Sequence, residues 1–296
     1  MLYGDIMSVN DKITEFITFP RTFEKYAWYK PIIVLILTAV IMLILQMVIM
    51  GACYLIGGVA FVQSVLGGKG VSVLNSPLGI FFGDLLIIMF IPALYIASRI
   101  VDDRPFSSYC SSRGGWNFKL YFKALIIPVI LYIVYSFIEH AIFESNGVYQ
   151  VSILFVVVLL ISVPLQSIAE EFMFRGILLQ TLGSWFKIPV LAIVIQALIF
   201  AAAHGYNSFG FIEMVVAGLI FGFFAWKTNG IEVSSALHTA NNFAVGLFVM
   251  LGLHSSTSSP ELFRVLGVIV FEIVLCLIMY YVGKKTEWFG EIPENA

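Results

Sequence analysis

Three short stretches of this chain carry side chains suited to splitting a peptide bond: Glu170-Glu171-x-x-x-Arg175, Phe200-x-x-x-His204 and His238-x-x-x-Asn242. Each lies in an apolar run, where an unpartnered charge is costly, so carboxylates, imidazoles, an amide and a fixed cation gathered there imply a site. Residues four apart share a helix face, which pairs Glu171 with Arg175, stacks His204 over Phe200 and sets Asn242 one turn from His238. Glu170 sits about 100° round the helix from Glu171 and is left free. A free carboxylate in an apolar setting is a candidate general base. Glu170 with His204 can deprotonate a water for attack on a peptide carbonyl, and His238 with Asn242 can donate hydrogen bonds to the oxyanion that forms. Glu171 and Arg175 support them. A serine mechanism fits less well: there is no Gly-x-Ser-x-Gly, and Ser234 and Ser235 lie near a helix start, where capping explains them. His-Glu-x-x-His is also absent. The preferred mechanism requires no cofactor. Glu170, His204 and His238 are nevertheless the ligand types of a three-ligand zinc site with an open position, so a divalent metal such as zinc is the alternative.

The elements that position these residues follow from composition. Of 296 residues, 60% are hydrophobic and 11% charged, and the mean hydropathy is +0.98, far from a soluble composition. A membrane span needs roughly 20 apolar residues. Apolar stretches occur at 32–57, 78–99, 120–143, 149–168, 188–204, 209–226, 231–250 and 262–282. The expectation is an all-α polytopic membrane bundle of about eight transmembrane helices around an intramembrane polar site. Residues 1–30 form an N-terminal cytoplasmic or interfacial segment, 31–283 one transmembrane domain with its motifs within 165–245, and 284–296 a cytoplasmic tail. Phe19, Phe23, Tyr26, Trp28 and Tyr29 suit an interfacial anchor. No secretory signal pattern opens the chain.

The positive charges are unevenly placed. Lys12, Arg21, Lys25 and Lys30 precede the first span, and Arg99, Arg104, Arg113, Lys119 and Lys123 surround the second connection. Lys187, Lys227, Lys284 and Lys285 mark later connections on the same side, whereas the alternate connections hold only Lys69. The positive-inside rule then puts both termini in the cytoplasm of a multi-pass cell-membrane protein. Cys53, Cys110 and Cys276 are too far apart for a disulfide framework or a cysteine metal site.

Depth counting brings the motifs together. If the chain reverses near Lys187, Glu170 lies 17 residues before it and His204 17 after it, so antiparallel helices place both at one depth, able to share a water. A second reversal at Thr228-Asn229-Gly230 returns His238 and Asn242 to the bilayer, and Gly218-x-x-x-Gly222 offers a small face for close helix approach. Pro164 is expected to break the fourth span early and leave 166–184 as a separate tilted helix.

The segments Ala169-Glu170-Glu171-Phe172-Met173-Phe174-Arg175-Gly176, Phe200-Ala201-Ala202-Ala203-His204 and His238-Thr239-Ala240-Asn241-Asn242 resemble, in order and spacing, the EExxxR, FxxxH and HxxxN motifs of the CPBP ("Abi") intramembrane proteases. That family includes type II CAAX prenyl proteases and bacteriocin-processing or immunity proteins. The resemblance implies an intramembrane glutamic endopeptidase, often termed a metalloprotease, using a Glu-activated water. It also implies a peptide or membrane-protein substrate, such as a prenylated peptide or a leader or bacteriocin precursor, and a site opening to the cytoplasm. Loop counting instead sets Glu170 and His204 far from the cytoplasmic reversal at Lys187. The lipid bilayer is the other expected partner; no nucleic acid is.

Two other classes stand beside this one: a catalytically silent membrane adaptor with the same fold, and a proton-coupled transporter using Asp84, Glu213 or Glu272. No inverted repeat supports the transporter. Those three acids read chiefly as structural hydrogen-bonding groups, or as cavity lining, and His140 and His254 as packing residues near span ends.

Overall fold

The computed structural model describes residues 15–66, 77–143, 147–254, 260–287 and 289; Lys12, Lys69 and most of the C-terminal tail lie outside them. Among the described residues the regular elements are helices: α1 (Lys30–Val65), α2 (Pro77–Val101, interrupted at Met89), α3 (Phe118–Phe143) and α4 (Ile153–Phe186). They continue with α5 (Pro189–His204), α6 (Ser208–Lys227), α7 (Glu232–Met250) and α8 (Leu262–Thr286). Every apolar stretch in the sequence thus becomes a helix, and the protein is a polytopic helical membrane bundle. Among the described residues, six helices are long and apolar enough to cross a bilayer: α1 to α4, α6 and α8. The other two fall short for opposite reasons. α5 is apolar but only 16 residues long, roughly 24 Å. α7 has 19 residues but buries Glu232, Ser234, Ser235, His238 and Thr239 at the centre of the bundle, against α3, α4 and α6. Long apolar side chains face outward instead, among them Leu55, Val48 and Phe263, as lipid requires.

Pro164 does not divide α4. The helix runs 34 residues from Ile153 to Phe186 and includes two wide π-helical stretches, Val158–Ser162 and Phe172–Leu179. A proline ring clashes with the carbonyl one turn back and supplies no N–H; the looser turn immediately before Pro164 makes room for both defects. The expected reversal at Lys187 is present. Lys187 caps α4 in the left-handed conformation (φ 57°), and Pro189 opens α5, where its fixed φ and missing N–H suit the first turn. At the far end of α5, Gly205 takes the left-handed cap (φ 64°).

Connections meet at two ends of the bundle. At one end Arg21 Nη1 donates to the Ser184 carbonyl (3.0 Å), Phe16 N to Asn229 Oδ1 (3.2 Å), Ile231 N to the Cys110 carbonyl (2.8 Å) and Arg113 Nη1 to the Phe289 carbonyl (3.1 Å). At the other, Gln150 N donates to the Met250 carbonyl (2.9 Å), Gly147 N to the Gly252 carbonyl (3.0 Å) and Asn207 Nδ2 to the Pro260 carbonyl (3.2 Å). The capping role expected for Ser234 is corrected here. α7 begins at Glu232 with Ile231 as N-cap, and Ser234 Oγ donates to the Ile231 carbonyl (3.0 Å) rather than accepting from a backbone N–H.

The small-residue face on α6 does what its spacing implies. A Cβ on Gly218 would stand 2.9 Å from Ala197 Cα, and one on Gly222 would stand 2.7 Å from Gln196 Nε2, so α5 and α6 touch through their backbones. Gly51, by contrast, has nothing within 4 Å of such a Cβ. Gly218→Val should lower unfolding stability in mixed micelles by about 1–3 kcal/mol through overpacking. Gly51→Ala should leave it unchanged or slightly raised, and equal effects at the two positions would contradict this packing.

Candidate active site

Glu171 and Arg175 project from the same face of α4, both side chains wholly buried, with Arg175 Nη1 donating to Glu171 Oε1 at 2.7 Å. A buried ion pair is favoured when its remaining polar atoms find partners, and several do here, although Glu171 Oε2 and Arg175 Nε make no hydrogen bond. Arg175 Nη2 donates to the Gly218 carbonyl on α6 (3.3 Å), an acceptor shared with Gln196 Nε2 of α5 (2.8 Å). The guanidinium also lies 4.5 Å from the Phe200 ring centroid and 5.1 Å from that of Phe221.

His238, on α7, joins this pair. Its Nδ1 stands 2.9 Å from Glu171 Oε1 and its ring stacks on Phe221 at 5.2 Å. A carboxylate beside Arg175 accepts, so His238 Nδ1 is assigned the donor role and Nε2 is turned the other way. There it meets Glu170 Oε2 at 3.5 Å, the long edge of a hydrogen bond. Glu170 Oε2 has no hydrogen-bond partner, whereas Oε1 accepts from Gln166 Nε2 at 2.6 Å. His204 at the end of α5 is fixed by its Nδ1 on the Phe200 carbonyl (2.8 Å), and its ring lies 4.5 Å from that of Phe200. The carbonyl only accepts, which leaves His204 Nε2 as an acceptor when the ring is neutral.

Glu170, His204, His238 and Asn242 line one cavity of about 330 Å³, with Gln166 and Phe200 beside them. The structure therefore assembles all three motifs, but with different neighbours from those the spacing suggests. Glu170 touches His238, while His204 lines the same cavity without a hydrogen bond or ion pair to either carboxylate. Asn242 Nδ2 donates to Gln166 Oε1 (3.0 Å) and Ser167 Oγ (3.3 Å), so Gln166 links it to Glu170.

Gln166 was not among the sequence candidates. Its signal was available: it stands four residues before Glu170, on the same helix face. Outward along the cavity lie Glu139, paired with Arg264 at 3.3 Å, together with Glu213 and His254. His254 was read as packing, yet it lines the cavity mouth, and burial lowers its affinity for a proton. Asp84 accepts from Ser162 Oγ (2.5 Å), and Glu272 is buried beside Tyr132. Among the described residues no three His, Cys, Asp or Glu side chains come together as a metal-holding group. Glu170, His204 and His238 do not fit a three-ligand zinc site as they stand.

The family model described as type II CAAX prenyl endopeptidase Rce1-like matches residues 150–244, the segment that holds every motif residue. The uncharacterized protein YyaK of Bacillus subtilis (strain 168) is 27% identical over 240 residues, covering 73% of this chain and 80% of that protein. No solved structure matches. Over residues 150–244, about a third of its length, the chain is thus similar to the Rce1-like, type II CAAX endopeptidases, the same group to which its motifs point.

Removing one member of the buried pair should separate structural from reactive carboxylates. Arg175→Met leaves Glu171 buried and uncompensated, and should cost about 3–5 kcal/mol in micellar unfolding. The double variant Glu171→Leu/Arg175→Met should regain much of that loss. A double variant no more stable than Arg175→Met would show that the pair is not the source of the effect.

Proposed function

We propose that this protein is an intramembrane endopeptidase in which Glu170 activates water against a peptide carbonyl. The observation that carries the reading is the placement of Glu170: of the two glutamates it is the one that lines the cavity, with Oε2 3.5 Å from His238 Nε2 and the other motif residues on the same wall.

A water between Glu170 and His204 gives its proton to Glu170 as its oxygen bonds to the carbonyl carbon. The C=O bond opens to an oxyanion, which accepts hydrogen bonds from protonated His238 Nε2 and from Asn242. Glu170 then returns the proton to the departing amine as the C–N bond breaks. Glu171 holds the His238 ring through Nδ1, and Arg175 holds Glu171 in place. In the ligand-free site Asn242 is engaged with Gln166 and Ser167, so it reaches the oxyanion by exchanging one of those bonds. No metal takes part in this sequence. The substrate is a peptide or a membrane-protein segment, of which prenylated peptides and leader or bacteriocin precursors are the family's examples. Both termini are assigned to the cytoplasm by the positive residues near them.

Comparing membrane proteomes of cells bearing the wild type and Glu170→Ala should reveal full-length precursors that accumulate only in the variant. With such a precursor and purified protein, Glu170→Ala and His204→Ala should each lower kcat by about 10²–10⁴-fold. Unchanged cleavage in either folded variant would sink the mechanism, and full complementation by Glu170→Gln would favour the adaptor. Prolonged dialysis against a strong zinc chelator should leave the rate intact; loss on dialysis with recovery on adding zinc would replace the metal-free route.

A further inference from the structure

We propose that the catalytic cavity opens to the extracytoplasmic side, so that the enzyme takes peptide segments presented outside the cytoplasm, such as translocated peptides or the outer ends of membrane proteins. This rests on the protease reading of the same site for its substrate, but its geometry stands independently.

The two ends of the bundle differ in charge. Arg21, Lys25, Lys30, Arg99, Arg104, Arg113, Lys119, Lys123, Lys187, Lys227, Lys284 and Lys285 all belong to segments at the end where residues 16–29, 102–117, 184–189 and 228–231 meet. Of the described Lys and Arg residues, Arg175 lies within the bundle and Arg264 alone stands towards the opposite end. So strong a bias fixes the first end as cytoplasmic.

That end is also closed. Ser108, Tyr109, Ser111, Thr228, Asn229 and Glu232 are buried there, stitched by Gln180 Nε2 to the Ser108 carbonyl (2.9 Å) and by Asn117 N to Glu232 Oε1 (3.1 Å). None of the cytoplasmic connections contributes to the cavity wall.

The cavity leads the other way. From Glu170 and His238 it passes Glu139 near the end of α3, Glu213 near the start of α6 and Arg264 near the start of α8, and reaches Tyr206, His254 and Pro260. These last three sit in the connections after α5 and α7, the end joined by Asn207 Nδ2 to the Pro260 carbonyl. The disagreement between loop counting and the opening implied by family resemblance is thereby decided in favour of loop counting for this chain.

Thiol labelling of the full-length protein in its cell membrane tests this. Single cysteines are introduced at Ser208, exposed where α6 begins, at Val245, on the cavity wall, and at Lys284, exposed at the end of α8. The wild type serves as the blank, since Cys53 and Cys110 are buried and Cys276 is half-buried. A charged, membrane-impermeant thiosulfonate applied to intact cells should modify Ser208→Cys and Val245→Cys, while Lys284→Cys reacts only after permeabilisation. The reverse pattern, or Val245→Cys reacting only once the cytoplasm is opened, would overturn the proposal. Labelling reads the opening whether or not the protein cleaves anything, so its failure is distinct from failure of the protease reading. Where precursors accumulate with Glu170→Ala, their cleavage sites should map to extracytoplasmic segments, and sites confined to cytoplasmic segments would also overturn it.

Discussion

The buried pair of Glu171 and Arg175 sets the conditions that the rest of the structure must meet. Two opposite charges with no solvent exposure, 2.7 Å apart, gain in an apolar bundle from every further partner that neighbouring helices supply. Arg175 reaches the Gly218 carbonyl, which requires α6 to approach closely, and α6 can do so because position 218 has no side chain to hold it off Ala197. Gln196 bonds to the same carbonyl from α5. Glu171 takes His238 from α7. One ion pair therefore draws α4, α5, α6 and α7 to a point, with Phe200 and Phe221 filling the space around the guanidinium.

This arrangement gives neighbouring glutamates different fates. Glu171 faces the cation and the imidazole through Oε1, whereas Glu170, about 100° round the helix, faces the cavity with Oε1 held by Gln166; each carboxylate keeps its Oε2 without a hydrogen bond. Their separation is a property of helix geometry, since consecutive side chains cannot share a face. His238 connects them, with one ring nitrogen on each carboxylate. A change in proton position at Glu170 is thus felt directly by an imidazole whose other nitrogen is anchored to a fixed charge.

Hydropathy and spacing made most of the fold legible. Apolar runs mark every helix, and the four-residue spacing identifies Glu171 with Arg175 and His204 with Phe200, both of which are in contact. Interactions across helices were less accessible. The partnership of Glu170 with His238 depends on how α4 and α7 rotate against each other, which intrahelical spacing does not specify. Gln166 carries no charge to draw attention in an apolar run, and Glu139 with Arg264 is a pairing between α3 and α8, far apart in the chain. Pro164 misled for a local reason: the rule that proline breaks a helix assumes regular α turns, and a π-helical turn precedes it here.

The same polarity that makes α7 a poor membrane span makes it a suitable centre. A helix carrying Glu232, Ser234, His238 and Asn242 has too few apolar positions to face lipid, but surrounded by other helices it gives each polar group a protein or cavity neighbour. Near its N-terminus, Glu232 is met by Arg113 at 3.1 Å and by the backbone of Asn117. Two turns on, His238 and then Asn242 border open space. The middle of α7 therefore borders a cavity while the polar residues near its N-terminus are tied up by loops.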